Sequence, residues 1–443
     1  MPTPPFVIDV VLSEYPFPGF LEPVKERAAE FVAAHPEYQV NIRGVYYEDI
    51  PAEVSRLALA GTPPTIASYY SGATQQALDA VTSAGKPLFT PVSRAVAGRT
   101  EILGEPVVDD LIAACKSYYT IGGELAAVPL TLSTMLLYSN ATILRRAGIS
   151  APPRTWAELT AAASAVAALE DGPEYPVTWP DDGKLFQHWV SQQGGLFLDN
   201  ANGHEARATT VDLVSDAVLS LVHWWRNLNE QGWFLYTGSF EDWVGSIQAF
   251  TAQRAAIRVG SSFEIAFMTA VGREHGFDVA VTGLPHRDGI DPVGNWIGGD
   301  ALWLADGLAP EVRDGALAFI QYLSNPRSMS LWHKAIGSTP PSYGSIAQLE
   351  SEGWFDAEPL HRVATQQLER FAGAPGSNCP NFPGSHGIQT AIMSAMEDIL
   401  VNHVDPVARF TRANAEAQKA LDAYNATVLG EGPRDESWLL VGT

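Results

Sequence analysis

The sequence predicts an α/β fold of two lobes with a ligand cleft between them, and three observations carry that prediction. The first 70 residues alternate strand and helix patterns in the order β-α-β-α-β, the signature of a doubly wound parallel sheet. A second helix-rich block follows after residue 140. Between the blocks, two apolar segments are broken by Pro or Gly: residues 122–138, with Pro129 inside, and residues 292–300, with Gly294, Gly298 and Gly299. Such interrupted strands read as crossovers, and a chain that passes repeatedly between two lobes builds a cleft that opens and closes.

Residues 6–12 (FVIDVVL) form a continuous apolar run, the pattern of a buried parallel strand. A loop over 13–19 leads to a helix with Val24, Ala28, Phe31 and Val32 on one face, stopped at His35-Pro36. Residues 38–46 read as the second strand, 51–59 as a helix ended by Gly61, and 64–68 as the third strand. Ligands of such sheets lie beyond the carboxyl ends of the strands. Those ends are Ser13-Glu14-Tyr15, Tyr46-Tyr47-Glu48 and Tyr69-Tyr70-Ser71, each carrying tyrosine. Farther on, 140–147 predicts a short helix closed by Gly148, and Thr155 with Glu158 opens an alanine-rich helix as a capping box. Residues 211–230 place Leu213, Ala217, Leu221, Trp224 and Leu228 on one helical face. Residues 277–282 predict a strand, 312–323 a striped helix stopped by Asn325-Pro326, and 388–402 and 406–424 the last long helices. The lobes divide as 1–130 plus 284–337, and 131–283 plus 338–443.

The net charge of −23 disfavours nucleic acid and anionic membrane as partners, and the scattered basic residues form no cluster for a free phosphate monoester. Cys115 and Cys379 make neither a disulfide framework nor a zinc site, and whether they pair is open. Scattered histidines predict no metal site. The start, Met1-Pro2-Thr3-Pro4-Pro5, lacks the basic and apolar regions of a secretory leader, so the expectation is a cytoplasmic protein or a trimmed leader. No Gly-x-Ser-x-Gly elbow and no phosphate-cradling Gly-x-x-x-x-Gly-Lys-Ser/Thr loop occurs. The acidic pairs Asp181-Asp182 and Glu241-Asp242 read as ordinary surface carboxylates. Reversible capture of a ligand is therefore expected in preference to catalysis.

Several stretches resemble one family in order along the chain. They are Ala60-Gly61-Thr62-Pro63-Pro64-Thr65-Ile66; Gly123-x-Leu125-x-Ala127-Val128-Pro129 with Leu136-Leu137-Tyr138-Ser139-Asn140; Leu144 to Ile149; and Pro153-x-Thr155-Trp156-x-Glu158-Leu159. Asn295-Trp296-Ile297-Gly298-Gly299 and Ala316 to Pro326 with Gly337-Ser338-Thr339-Pro340 complete the set. Together they resemble the extracellular solute-binding proteins of carbohydrate ABC importers, the maltose-binding-protein-like class. The resemblance implies a type II periplasmic-binding-protein-like fold, each lobe a sheet flanked by helices. It implies no cofactor, a monomer, a carbohydrate or polyol ligand, and delivery to the transmembrane subunits of an ABC permease. It also implies export to the periplasm or attachment to the cell envelope. The alternatives on the same scaffold are a ligand-sensing adaptor and a secreted glycoside-processing enzyme.

The resemblance places ligand contacts at Glu14 and Tyr15 after the first strand and at Tyr69 and Tyr70 after the third. It places others at Gln187 and His188, at Ser262 and Phe263 after a Gly-rich turn, and at Asn381 in a late loop. The crossovers add Ser133, Trp296, Gly298, Gly299 and Asp300, with Asp300 either a ligand acceptor or a carboxylate that fixes the hinge. Aromatic rings suit the C–H faces of sugars, while amides and carboxylates take the hydroxyls. Trp224, Trp225, Trp243 and Trp332 sit at helical spacing and are expected in the core.

Overall fold

The computed structural model describes residues 5–15, 19–371, 373–382 and 385–430; residues 16–18 of the first loop and Pro383 of the late loop lie outside them. Among the described residues, a six-stranded sheet organises the first lobe. Its order is Tyr38–Tyr46, Phe6–Glu14, Ile66–Tyr70, Asp300–Ala305 and Phe89–Thr90, with Val128–Pro129 also paired to Asp300–Ala305. The first three are parallel, as the β-α-β-α-β reading requires. Asp300–Ala305 enters antiparallel from the second half of the chain. The second lobe holds a five-stranded sheet in the order Phe234–Leu235, Tyr175–Thr178, Ala255–Ser261, Met135–Asn140, Val279–Gly283. Helices flank both sheets.

Three elements begin later than their sequence patterns. Pro63 and Pro64 have no N–H to give a ladder, so the third strand runs Ile66–Tyr70 instead of 64–68. The helix expected from Val211 starts at Asp216, because Val211 is drawn into an antiparallel bridge with Leu198. Phe277 closes the preceding helix, its N–H bonding to Gly272 after left-handed Gly276, and the strand begins at Val279. The cap at Thr155 forms, with Glu158 N donating to its Oγ1 at 3.2 Å, but the Glu158 carboxylate accepts from Arg154 N, one residue earlier than a full capping box.

The second lobe's core gathers Trp179, Trp189 and Trp225, each buried, with half-buried Trp224 stacked on Trp156 at 4.8 Å. Trp332 is buried in the first lobe beside Phe20. Trp243 departs from expectation: it is half-buried, and its indole donates to Asp182 Oδ2 at 3.1 Å.

The two crossovers run side by side between the sheets. Ser133 N donates to Gly298 O at 3.0 Å and Gly298 N returns to Ser133 O at 2.8 Å. A third segment joins them, with Thr339 N bonded to Leu132 O at 2.7 Å and Leu132 N to Ser338 Oγ at 3.0 Å. Gly299 has φ +100°, and a Cβ there would stand 2.3 Å from Thr131 O, so only glycine lets these strands lie this close.

Candidate functional site

The period of two along Ile66–Tyr70 sends its last two tyrosines to opposite faces. Tyr69 is 1% exposed and packs edge-on against Phe89 and Trp303 in the first lobe's core. Tyr70 instead meets Tyr47 edge-on at 5.3 Å, and Tyr47 stacks on Tyr15 at 4.7 Å and 11°. The carboxyl ends of the three parallel strands thus bring three tyrosine rings into one row. Glu14 is exposed beside Gly44, and its carbonyl accepts from Tyr47 N at 3.1 Å.

Asp300 is buried among donors from its own lobe. It is 1% exposed and accepts from Ser13 Oγ at 2.6 Å, Tyr15 OH at 2.7 Å and Thr131 Oγ1 at 3.2 Å. Burial raises its pKa against those three hydrogen bonds, which favour the carboxylate. Both oxygens are engaged by the protein, so the carboxylate ties the first strand to the crossover. Ser133, Gly298 and Gly299 lie in the paired crossovers themselves. Ser262 is fully buried there too, accepting from Thr134 N at 3.2 Å and lying 3.4 Å from Thr339 Oγ1. Phe263 is half-buried, its backbone packed against Gly337.

The second lobe contributes the helix Gly183–Gln192. Asp182 starts it, its Oδ1 accepting from Leu185 N at 2.9 Å. Spacings of three and four residues put Lys184, Gln187, His188 and Ser191 along one side. Gln187 and Ser191 are 0% exposed and His188 2%. Among the described residues, neither Gln187 Oε1 nor Nε2, nor His188 Nδ1, nor Ser191 Oγ has a hydrogen-bond partner. The His188 ring lies 4.5 Å from that of Trp296, a buried residue whose Nε1 likewise has no partner among the described residues. Burial pushes the His188 pKa down to about 3, so the imidazole is neutral. Asn381 reaches across the lobes, donating from Nδ2 to Gln75 Oε1 at 2.9 Å while its Oδ1 has no partner among the described residues.

At the start of the same helix, Lys184 Nζ stands 3.3 Å from Glu48 Oε1 and from Tyr47 OH, and 3.5 Å from Glu241 Oε1. The ammonium also lies 5.4 Å and 5.8 Å from the ring centres of Tyr47 and Tyr70. Burial penalises the charged amine. Tyr47, the carboxylates of Asp182 and Glu241, and Tyr70 outweigh that penalty, so its pKa is raised. Asp181 and Asp182 are buried at the head of this helix, correcting their reading as ordinary surface acids. Lys184, Glu48, Glu241 and Trp243 were absent from the sequence-predicted set. The Asp182-Gly183 cap ahead of an amphipathic run was the signal that could have marked them. A separate hollow of about 510 Å³, walled by Glu350, Phe355, Asp356, Pro359, Arg362 and Gln366, holds none of the predicted residues.

The model of a family described as bacterial extracellular solute-binding protein matches residues 26–362, more than half of the chain. A relative, the sn-glycerol-3-phosphate-binding periplasmic protein UgpB of Salmonella paratyphi A, is 24% identical over 391 residues, covering 87% of this chain and 84% of its own. Among solved structures, the cyclic alpha-maltosyl-1,6-maltose binding protein from Arthrobacter globiformis aligns with a TM-score of 0.74 at 19% identity, covering 95% of this chain and 100% of its own. UgpB from Mycobacterium tuberculosis, in complex with glycerophosphocholine, aligns at 0.73 with 19% identity, covering 95% and 99%. These structural likenesses carry the two-lobe fold.

Proposed function

This chain belongs to the bacterial extracellular solute-binding protein family, and we propose that it is the substrate-binding protein of an ABC importer whose ligand is an uncharged, hydroxyl-rich molecule, a carbohydrate or polyol. It binds the ligand between the lobes outside the cytoplasm and hands it unchanged to the transmembrane permease, acting as a monomer. The observation that carries this reading is the buried polar side of Gly183–Gln192. On it Gln187 offers a donor and an acceptor and His188 a neutral imidazole, and Trp296 beside His188 adds an indole N–H, none of them paired among the described residues at the atoms named above. Buried polar groups are ordinarily paired. A hydroxyl both donates and accepts, so a polyol suits this set. The rings of Tyr70 and Trp296 suit its C–H surface. We place the ligand contacts at Tyr70, Gln187, His188, Trp296 and Asn381, with Phe263 at the second lobe's side.

The relatives named for sn-glycerol 3-phosphate raise an anionic ligand as the competing choice. The charge around Lys184 argues against it. One ammonium already faces the carboxylates of Glu48 and Glu241, with Asp182 behind it, and Arg258 and Arg207 are paired with Glu264 and Asp79. A phosphate monoester would enter a field of net negative sign without the basic cluster it needs. A thermal-shift screen tests the choice, because binding raises apparent stability by mass action. Neutral mono-, di- and oligosaccharides, polyols, glycerophosphodiesters and sn-glycerol 3-phosphate form the panel. Stabilisation by a neutral carbohydrate or polyol is expected. Stabilisation by sn-glycerol 3-phosphate alone would overturn the reading.

A further inference from the structure

A second polar cluster joins the lobes outside the candidate ligand site. Asp79 ends the first-lobe helix Thr74–Asp79, and its side chain is 7% exposed. Arg207 follows the second-lobe helix Asp199–Gly203, and Tyr424 lies on Pro406–Val428, which packs on Ser385–Asn402 and Asp216–Glu230. Arg207 grips the Asp79 carboxylate as a fork: Nη2 meets Oδ1, and Nη1 meets Oδ2 at 3.0 Å. Tyr424 OH donates to the same Oδ2 at 2.9 Å. Asn425 orients the guanidinium, accepting from Nη1 at 3.2 Å while its Nδ2 holds Ala208 O at 2.9 Å. Within the first lobe Gln75 Nε2 donates to Asp79 Oδ2 at 3.0 Å, and the same Gln75 accepts from Asn381.

We propose that Asp79, Arg207 and Tyr424 form an interlobe clamp that sets the closed angle of the cleft without touching the ligand. The donors from Arg207 and Tyr424 come from the other lobe, so opening would leave the carboxylate with Gln75 alone among the described hydrogen bonds. In the closed form the nearly buried Asp79 carboxylate depends on its guanidinium, because removing either partner leaves an uncompensated charge there. The planar fork accepts one relative orientation, so the clamp favours one closure angle over a range. Gln75 links the clamp to Asn381, which makes Asp79 and Arg207 positioning residues for the ligand loop. The proposal deepens the capture reading and rests on it for its purpose, yet its test needs no ligand, so the two fail separately.

The test is small-angle scattering on the ligand-free protein and on Asp79→Asn, Arg207→Gln, and the double variant Asp79→Arg with Arg207→Asp. Circular dichroism and thermal unfolding verify that each is folded. The parent is expected to scatter as the closed form. Each single variant should have a larger radius of gyration, its closed-to-open ratio reduced by about 30-fold or more, the usual scale for losing one partner of a buried charge pair. The swapped pair should contract again. A radius shared by parent and single variants, or an expansion that the swapped pair fails to reverse, overturns the clamp.

Discussion

Replacing Gln187 with leucine should separate binding from stability in opposite directions. Gln187 is 0% exposed, and among the described residues both of its amide atoms are unpartnered. An unsatisfied buried polar group such as this amide costs about 1–3 kcal/mol. Leucine fills a similar volume without those atoms, so the ligand-free variant should gain about 1–3 kcal/mol and unfold a few degrees higher. The ligand loses a donor and an acceptor at once. Two neutral hydrogen bonds, with the ligand hydroxyls left unpaired, amount to about 2–3 kcal/mol, or roughly 30- to 150-fold in affinity. Calorimetry with the most stabilising carbohydrate of the thermal-shift panel, beside thermal unfolding of the ligand-free pair, measures both quantities. A variant that is less stable and binds as the parent does would refute the assignment, since the amide would then serve the fold.

Three further outcomes follow from the geometry. Tyr70→Ala should weaken ligand binding by about 2 kcal/mol, whereas Trp332→Ala, at a residue 1% exposed in the first lobe, should cost about 3–5 kcal/mol of stability; calorimetry and denaturant unfolding distinguish them, and equal affinity for Tyr70→Ala would remove that residue from the site. His188 is held near pKa 3 in the fold against about 6.5 when unfolded, so the unfolded chain binds the extra proton between those values and stability falls with pH through that window. At pH 5 this amounts to about 2 kcal/mol, and His188→Gln should lose that part of the dependence; an unchanged pH profile between 7.5 and 5 would contradict it. Gly299→Ala should destabilise the protein by more than 1 kcal/mol, because φ +100° and the 2.3 Å approach to Thr131 O both penalise a Cβ; a neutral effect in denaturant melts would show that the crossover can relax.

The parallel half of the first sheet was legible because its strands read as short apolar runs bounded by turn residues, and the crossovers because Pro and Gly punctuate them. The antiparallel entry of Asp300–Ala305 was not, since pairing partners 230 residues apart leave no local pattern. At the site, the tyrosine-bearing strand ends were readable from topology. Their difference was not: successive strand residues alternate faces, and the pairing of Ile66–Tyr70 with the distant Asp300–Ala305 accompanies Tyr69 packing on Phe89 and Trp303 while Tyr70 lies beside Lys184. Asp300 read as a ligand acceptor or a hinge-fixing carboxylate, and nothing local announced Ser13, Tyr15 and Thr131, distant in sequence, on its two oxygens. Lys184 escaped notice because a lone lysine at a helix start reads as surface charge. Its role depends on Glu48 and Tyr47 arriving from the other lobe.

Capture of a neutral hydroxyl-rich ligand in the cleft is measured by calorimetric titration at fixed salt and pH. The comparison is between the most stabilising neutral carbohydrate and sn-glycerol 3-phosphate on the same protein, repeated with Gln187→Leu. One site per chain is expected for the carbohydrate, weakened in the variant, with no measurable heat from the phosphate ester. Tighter binding of sn-glycerol 3-phosphate than of every neutral carbohydrate and polyol would contradict it.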